Sequence, residues 1–447
     1  MSLLKTSLLI GGLGGLAGLA GLGFAACNPG DFNSILDHAP VTIAETGGSS
    51  TGSLFVLPLP PQTNSTIAAR ALVTRSDKPY FATADYDMNG KVTLHEDTEA
   101  ESSLNLGGAV YSSAIRSDGT IILGVPGYPG DQTPTGRVST ATTTTAADGS
   151  VKFVLTPGPT GSAGDHLGIS VAAGNITGLP GGDFVVLSDS TVQLLPPSGT
   201  VPPALGCPSV ALKAPPPGGT YGFRPIAVGN LLDDYSGDEV VLGGQIANQG
   251  MVVFLHYDPL NSTLSCTPTK VFAGGVSAGF GSSLAIADFD GDGRLDLAVG
   301  APPDRVLVYF GPLDSVTDPQ VTISSATASG FGNRIAPLQT SGMGSAELMV
   351  ADPGARGNKG EIRIFNVTRA ATSAIATLFD ANQDSDSGGF GQSLGALSFE
   401  GGLCPPTTGS KLQAVPFVSV GPELLTFFTY SVGSVATPDP RCFAQPK

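Results

Sequence analysis

Charge is the first thing this 447-residue sequence lacks: Asp, Glu, Lys and Arg make up 13% of it, while 41% is hydrophobic. That is about half the usual charged share, which excludes a disordered polyelectrolyte and leaves enough apolar surface for a large core. Positive charge is scarcer still, with 21 Lys and Arg against 37 Asp and Glu and a formal net charge of −16. A surface of that sign repels phosphate backbones, so no nucleic-acid partner is expected. The four histidines, His38, His95, His166 and His256, stand far apart, and none belongs to an HExxH or HxH cluster. The Gly-rich stretches lack the lysine that closes a phosphate loop. With these signatures missing, the chain reads as a non-enzymatic protein. Long apolar runs are missing too, except at the N-terminus, and almost no segment keeps a 3.6-residue period.

What is present begins at that N-terminus. A single cation, Lys5, precedes an apolar run at 7–24, which is followed by Ala25, Ala26 and Cys27. This is the pattern of a signal peptide. Small residues directly before a cysteine resemble the lipobox of bacterial lipoproteins. The resemblance implies a signal peptide over 1–26, acylation of Cys27 with palmitate-type chains, and a flexible tether over 27–40. It also implies a place in the bacterial cell envelope, as an outer-membrane lipoprotein held to the membrane through its N-terminal lipid. An uncleaved membrane helix and an ordinary secretory signal are the alternatives. Phe24 stands where signal peptidase prefers a small residue, and so favours the lipobox.

The rest of the chain repeats itself. Its 62 Gly and 36 Pro, with Ser and Asp, punctuate short runs rich in Val, Ile, Leu and Phe, which is the signature of strands and turns. Self-comparison finds its clearest unit at 280–302, FGSSLAIADFDGDGRLDLAVGAP. Weaker copies begin at Leu106, Leu167, Gly222, Phe331 and Phe390, and a seventh unit spans 67–96. Phe280-Gly281, the acidic loop and Gly300-Ala301-Pro302 together resemble an FG-GAP repeat, as in the β-propellers of integrin α-chains and bacterial surface proteins. The resemblance implies an all-β fold over 41–435: a seven-bladed β-propeller built from FG-GAP-like repeats, with N-terminal strand residues near 41–43 and 54–57 closing the last blade. A β-sandwich array or solenoid is the alternative. If Cys27 is lipidated, four cysteines remain, an even number that suits two disulfides in an exported chain. Sequence proximity favours Cys207 with Cys266, and Cys404 with Cys442, the latter tying a tail at 436–447 to the last blade.

Two loops carry metal chemistry. In the segment 288–296, Asp288, Asp290, Asp292 and Asp296 recur at positions 1, 3, 5 and 9, Gly293 permits a sharp turn, and Arg294 offers its carbonyl. Hard oxygen ligands in a flexible loop suit calcium, and carboxylates this close repel one another unless a cation neutralises them. The segment 85–96 matches the twelve-residue EF-hand spacing, with Asp85, Asp87, Asn89, the Lys91 carbonyl, Thr93 and Glu96 as ligands. Its entering flank is β-branched and aromatic, which favours a propeller loop over an inserted EF-hand. The loops at 230–239, 175–183 and 339–347 have their acidic residues out of step or missing. Weak binding is expected at the first and none at the others.

Function is bounded by these features. The leading expectation is a surface-displayed, calcium-stabilised binding or adhesion module whose partner is a protein or polysaccharide of the cell envelope. An envelope-assembly scaffold and a propeller hydrolase are the alternatives. In the propellers this chain resembles, ligands meet the loops joining second and third strands. Here those loops, at 124–137, 243–250, 301–305 and 351–361, hold Tyr128, Arg137, Arg305, Arg356 and Lys359, a set suited to an anionic ligand.

Overall fold

The computed structural model describes the chain from 110 to 380 except mainly 128–134, 198–206, 209–224, 275–278 and 339–344, together with the backbone of strands at 43–45, 53–58, 71–74, 81–84, 91–95, 102–105, 393–399, 413–420 and 424–429. Residues 1–42 and 430–447 lie outside this set, and with them the signal segment, Cys27, the tether and Cys442. Among the described residues the fold is all-β, with one helical turn at Ala355–Asn358. No helix there is long and apolar enough to cross a membrane.

Two short strands come first, β1 (Ile43–Glu45) and β2 (Ser53–Pro58). Seven antiparallel sheets then follow in chain order. The first holds β3 (Ala71–Thr74), β4 (Phe81–Ala84), β5 (Lys91–His95) and β6 (Ser102–Asn105). The second holds β7 (Ser112–Ile115), β8 (Ile121–Val125), β9 (Arg137–Thr145) and β10 (Val151–Thr160), and the third β11 (Ser170–Gly174), β12 (Asp183–Leu187), β13 (Thr191–Leu195) and β14 (Cys207–Pro208). In the fourth, β15 (Ile226–Gly229), β16 (Glu239–Ile246) and β17 (Gln249–Leu255) are followed by a small hairpin, β18 (Tyr257–Asp258) and β19 (Thr263–Leu264), before β20 (Lys270–Ala273). The fifth consists of β21 (Ser283–Ala287), β22 (Asp296–Ala301), β23 (Arg305–Tyr309) and β24 (Val321–Ser324). The sixth has β25 (Arg334–Leu338), β26 (Glu347–Asp352), β27 (Glu361–Val367) and β28 (Thr372–Asp380), and the seventh β29 (Ser393–Phe399), β30 (Gln413–Val420) and β31 (Leu424–Thr429).

The N-terminal strands complete the last two sheets. β2 runs antiparallel to β31, with Ser53 opposite Thr429 and Pro58 opposite Leu424, and supplies the fourth strand of the seventh sheet. The expectation for 54–57 agrees with this placement, but β1 goes elsewhere: it pairs with β28 as a fifth strand of the sixth sheet, Ile43 opposite Asp380. The first strands of successive sheets neighbour one another, β3 with β7, β7 with β11 and onward to β25 with β29, and β29 also neighbours β3.

Burial explains the strand sequences. The second strands β8, β12, β16, β22 and β26 are buried along nearly their whole length, because they lie in mid-sheet and are covered on both faces by adjoining sheets. A strand in that position reads as a continuous apolar run, as DLAVGA does. The outer strands β20 and β24 bury one residue in four and alternate towards solvent. Core clusters span neighbouring sheets: Phe254, Phe272 and Phe280 pack with Leu297, Val299 and Tyr309 between the fourth and fifth, and Val308 and Phe310 pack with Leu348 and Phe365 between the fifth and sixth.

The repeated glycines act at these junctions. A Cβ on Gly300 would lie 2.2 Å from the Gly332 carbonyl oxygen, which also accepts a 2.7 Å hydrogen bond from the Ser283 hydroxyl. Gly124 meets Gly168 in the same way between the second and third sheets, and Gly243 meets Gly281 between the fourth and fifth. The Gly of one repeat's second strand thus receives the Gly that opens the next repeat, and the backbones approach more closely than any side chain would permit.

Candidate metal centre

Carboxylates converge in the connection between β21 and β22. Asp288, Asp290 and Asp296 each bring a carboxylate oxygen within 4.8 Å of the others. The loop folds this way because its acids accept from its own amides. Asp288 Oδ1 accepts from the Gly291 N–H at 2.7 Å and Oδ2 from the Gly293 N–H at 2.8 Å, while Asp290 and Asp292 accept from the N–H groups of Asp292 and Arg294 at 3.2 and 2.9 Å. Gly291 and Gly293 sit at φ 82° and 86°, left-handed conformations that close the turn.

Asp296, the first residue of β22, is fully buried. Its Oδ2 accepts from the Phe289 and Asp290 N–H groups at 2.8 and 3.3 Å, and its Oδ1 from the Gly311 N–H at 2.9 Å. Burial pushes its carboxyl up to about 6 against the opposing pull of these hydrogen bonds. Buried acids occupy the same place in other sheets: Asp183, Glu239 and Glu347 open β12, β16 and β26. Asp183 accepts from the Thr177 N–H at 2.7 Å, and Glu239 Oε2 from the Leu231 and Leu232 N–H groups at 2.7 and 3.1 Å. Position 9 therefore ties down its own loop even where the other acidic positions have gone. The sequence reading gave Asp296 only a ligand's role, and the structure adds this tie.

Asp292 stands outside the three-carboxylate cluster. Its Oδ2 accepts from Arg369 Nη2 at 2.9 Å, and Asp290 Oδ2 accepts from Arg369 Nε at 2.5 Å. Arg369 lies between β27 and β28 of the next sheet, where it also donates to the Gly311 carbonyl at 2.9 Å and rests over the Phe310 ring at 5.0 Å. The sequence reading missed it, because it sits 77 residues beyond Asp292 in a turn without a motif. On the other side, the Arg294 side chain forks onto both carboxylate oxygens of Asp233, in the loop of the fourth sheet. The Asp288 carbonyl accepts from the Ala346 N–H at 2.7 Å. The loop is thus clasped by the sheets before and after it.

The donor set fits calcium. Every side-chain donor is an oxygen of a carboxylate, and such a set suits a hard cation, whereas thiolate- or imidazole-seeking metals would find no preferred ligand.

The second predicted loop is placed differently. Asp85, Asp87, Asn89 and Glu96 lie outside the described residues, while Lys91 and Thr93 belong to β5. The segment 85–90 joins β4 to β5, the second and third strands of its sheet, whereas 288–295 joins the first and second of its own. The described strands β4 and β5 stand where an EF-hand would need helices.

The residues expected to meet a partner sit on second-to-third-strand connections. Arg137 opens β9, and Arg305 opens β23, where its Nε lies 2.9 Å from its neighbour Asp304. Arg356, at φ 55°, is exposed, Lys359 is half-buried, and Tyr128 lies outside the described residues. Cys266 is disulfide-bonded. Cys207 pairs through its backbone with Val192, its side chain lying outside the described set, as does Cys404. His166 Nδ1 pairs with Asp189 while Asp165 accepts from the Ser188 hydroxyl at 2.9 Å, which fastens the turn after β12. His256 packs against Tyr235, ring centroids 4.2 Å apart.

Residues 280–311 match the FG-GAP repeat family, so the repeat that the sequence resembles is present. Over 138 residues the chain is 34% identical to the phosphatidylinositol-glycan-specific phospholipase D of Mus musculus, a match that covers 26% of this chain and 16% of that protein. Among solved structures, the crystal structure of Saccharomyces cerevisiae Sqt1 aligns with 82% of this chain and 97% of its own, at 13% identity and a TM-score of 0.46.

Proposed function

We propose that the chain is a calcium-stabilised, seven-bladed β-propeller that works as a non-enzymatic binding or adhesion module of the bacterial envelope. The observation that carries this reading is the convergence of Asp288, Asp290 and Asp296 within an FG-GAP repeat. Support for a closed ring comes from the first strands, each bordering the next and β29 bordering β3, and from β2 completing the seventh sheet. Closure by an N-terminal strand removes sheet edges that would otherwise recruit other strands. A calcium ion held by the loop neutralises its carboxylates. Asp288 and Asp290 supply ligands, Asp296 ties the loop to β22, and Arg294 links the loop to the sheet before it.

The binding surface is the opposite end, where Arg137, Arg305, Arg356 and Lys359 gather scarce positive charge on connections of different length. Guanidinium forks on such a rim grip carboxylates, so the ligand is an acidic protein or polysaccharide of the envelope. Lipid on Cys27 holds the module at the membrane, and more than one acyl chain makes that anchor stable. Recovery of partners from envelope extract tests the surface. Arg305→Glu with Arg356→Glu abolishes recovery, whereas Lys270→Glu, at the same end as the metal loop but outside it, leaves it intact. Equal loss from both variants removes the case for this face. Cys27→Ser releases the protein from the membrane fraction, and an unchanged fractionation and N-terminal mass contradict the lipid anchor.

A further inference from the structure

We infer that Arg369 is a built-in counter-cation of the 288–296 loop: it holds Asp292 away from the three-carboxylate cluster and is exchanged for a divalent cation, so that the loop and the turn at 368–371 of the next sheet form a cation-operated latch. The inference rests on the metal reading above and adds to it a competitor encoded in the chain.

The geometry supports exchange over simple positioning. Asp288, Asp290 and Asp296 converge, but three carboxylates are few for a cation that takes six to eight oxygens. Asp292 is the remaining acid of the loop, and its outer oxygen is spent on Arg369 Nη2 at 2.9 Å. Both partners are partly exposed, 37% for Asp292 and 49% for Arg369, so separating them strands no buried charge. Asp290, at 6% exposure, is the buried arm of the fork and already faces the cluster. Once parted from the carboxylates, Arg369 keeps its bond to the Gly311 carbonyl and its place over Phe310. The turn is loosened rather than unfolded. A guanidinium bound to two of the loop's acids also lowers the negative potential that draws a cation, so its charge opposes binding twice.

Calorimetric calcium titration of the metal-free full chain tests this. Arg369→Gln, which removes the charge, should bind several-fold more tightly than the parent, and Arg369→Lys, which keeps the charge without the two-pronged reach, should fall between them. In the parent, calcium should also speed amide hydrogen exchange at 368–371, a readout that an inert structural arginine would not move. Equal or weaker binding by Arg369→Gln overturns the latch, as does unchanged exchange at the turn. If the parent binds calcium and Asp288→Asn does not, while Arg369→Gln matches the parent, the latch fails and the metal reading stands. If neither the parent nor any variant binds, the metal reading fails and the latch with it.

Discussion

Arg294 Nη1 lies 2.9 Å from both carboxylate oxygens of Asp233, which joins the acidic loop of one sheet to the corresponding loop of the sheet before it. Side-chain exposures of 49% and 61% make this a solvent-screened pair. A double-mutant cycle with Arg294→Ala and Asp233→Ala should give a coupling of about 0.2–1 kcal/mol that shrinks with added salt. Denaturant unfolding of the four chains measures it.

Phe280 is buried between the fourth and fifth sheets. Phe280→Ala removes a ring that its close-packed neighbours cannot replace and should destabilise the protein by about 3–5 kcal/mol. Thermal melts of parent and variant give the difference.

Gly300 and Gly293 should respond differently to alanine. A Cβ at Gly300 strikes the Gly332 carbonyl oxygen at 2.2 Å, whereas a Cβ at Gly293 meets nothing within 4 Å and pays only for its φ of 86°. Gly293→Ala should therefore cost about 1–2 kcal/mol, and Gly300→Ala clearly more, since it forces two sheets apart. Chemical denaturation of both variants in calcium-free buffer isolates the steric effect.

Glu239 makes stability depend on pH. Burial raises its carboxyl to about 7, against hydrogen bonds from Leu231 and Leu232 that favour the charged form, and its Oε1 has no partner. An acid raised in the fold binds its proton more tightly there than when unfolded. Its contribution is therefore fully present below the ordinary value near 4.5 and lost as pH rises through 7. Glu239→Gln keeps an acceptor for the two amides and removes the charge. It should raise the melting temperature at pH 8 and change it little at pH 4, and melts of both chains across that range check the sign.

Much of this architecture was legible from residue patterns, for reasons the structure makes plain. The continuous run at β22 marks a strand covered on both faces, and the glycines at 281 and 300 mark backbone junctions between sheets. The alternation of acid and glycine at 288–293 marks a loop that accepts its own amides. Relations between sheets were not legible. Arg369 reaches Asp290 across 79 residues, and β1 joins the sixth sheet instead of the seventh, because both depend on how neighbouring sheets align in space. The tie made by Asp296 was hidden for another reason: a carboxylate that accepts amides and one that binds a cation look alike in a motif.

The most direct measurement is the melting temperature of metal-free protein as calcium is added. A cation that binds only the native state at one hundred times its Kd adds about 2.7 kcal/mol of stability. The parent should melt several degrees higher in calcium, Asp290→Ala should lose most of that response, and chelator should restore the lower value. A parent whose melting curve, from protein proven free of metal, is the same with and without calcium would contradict the account.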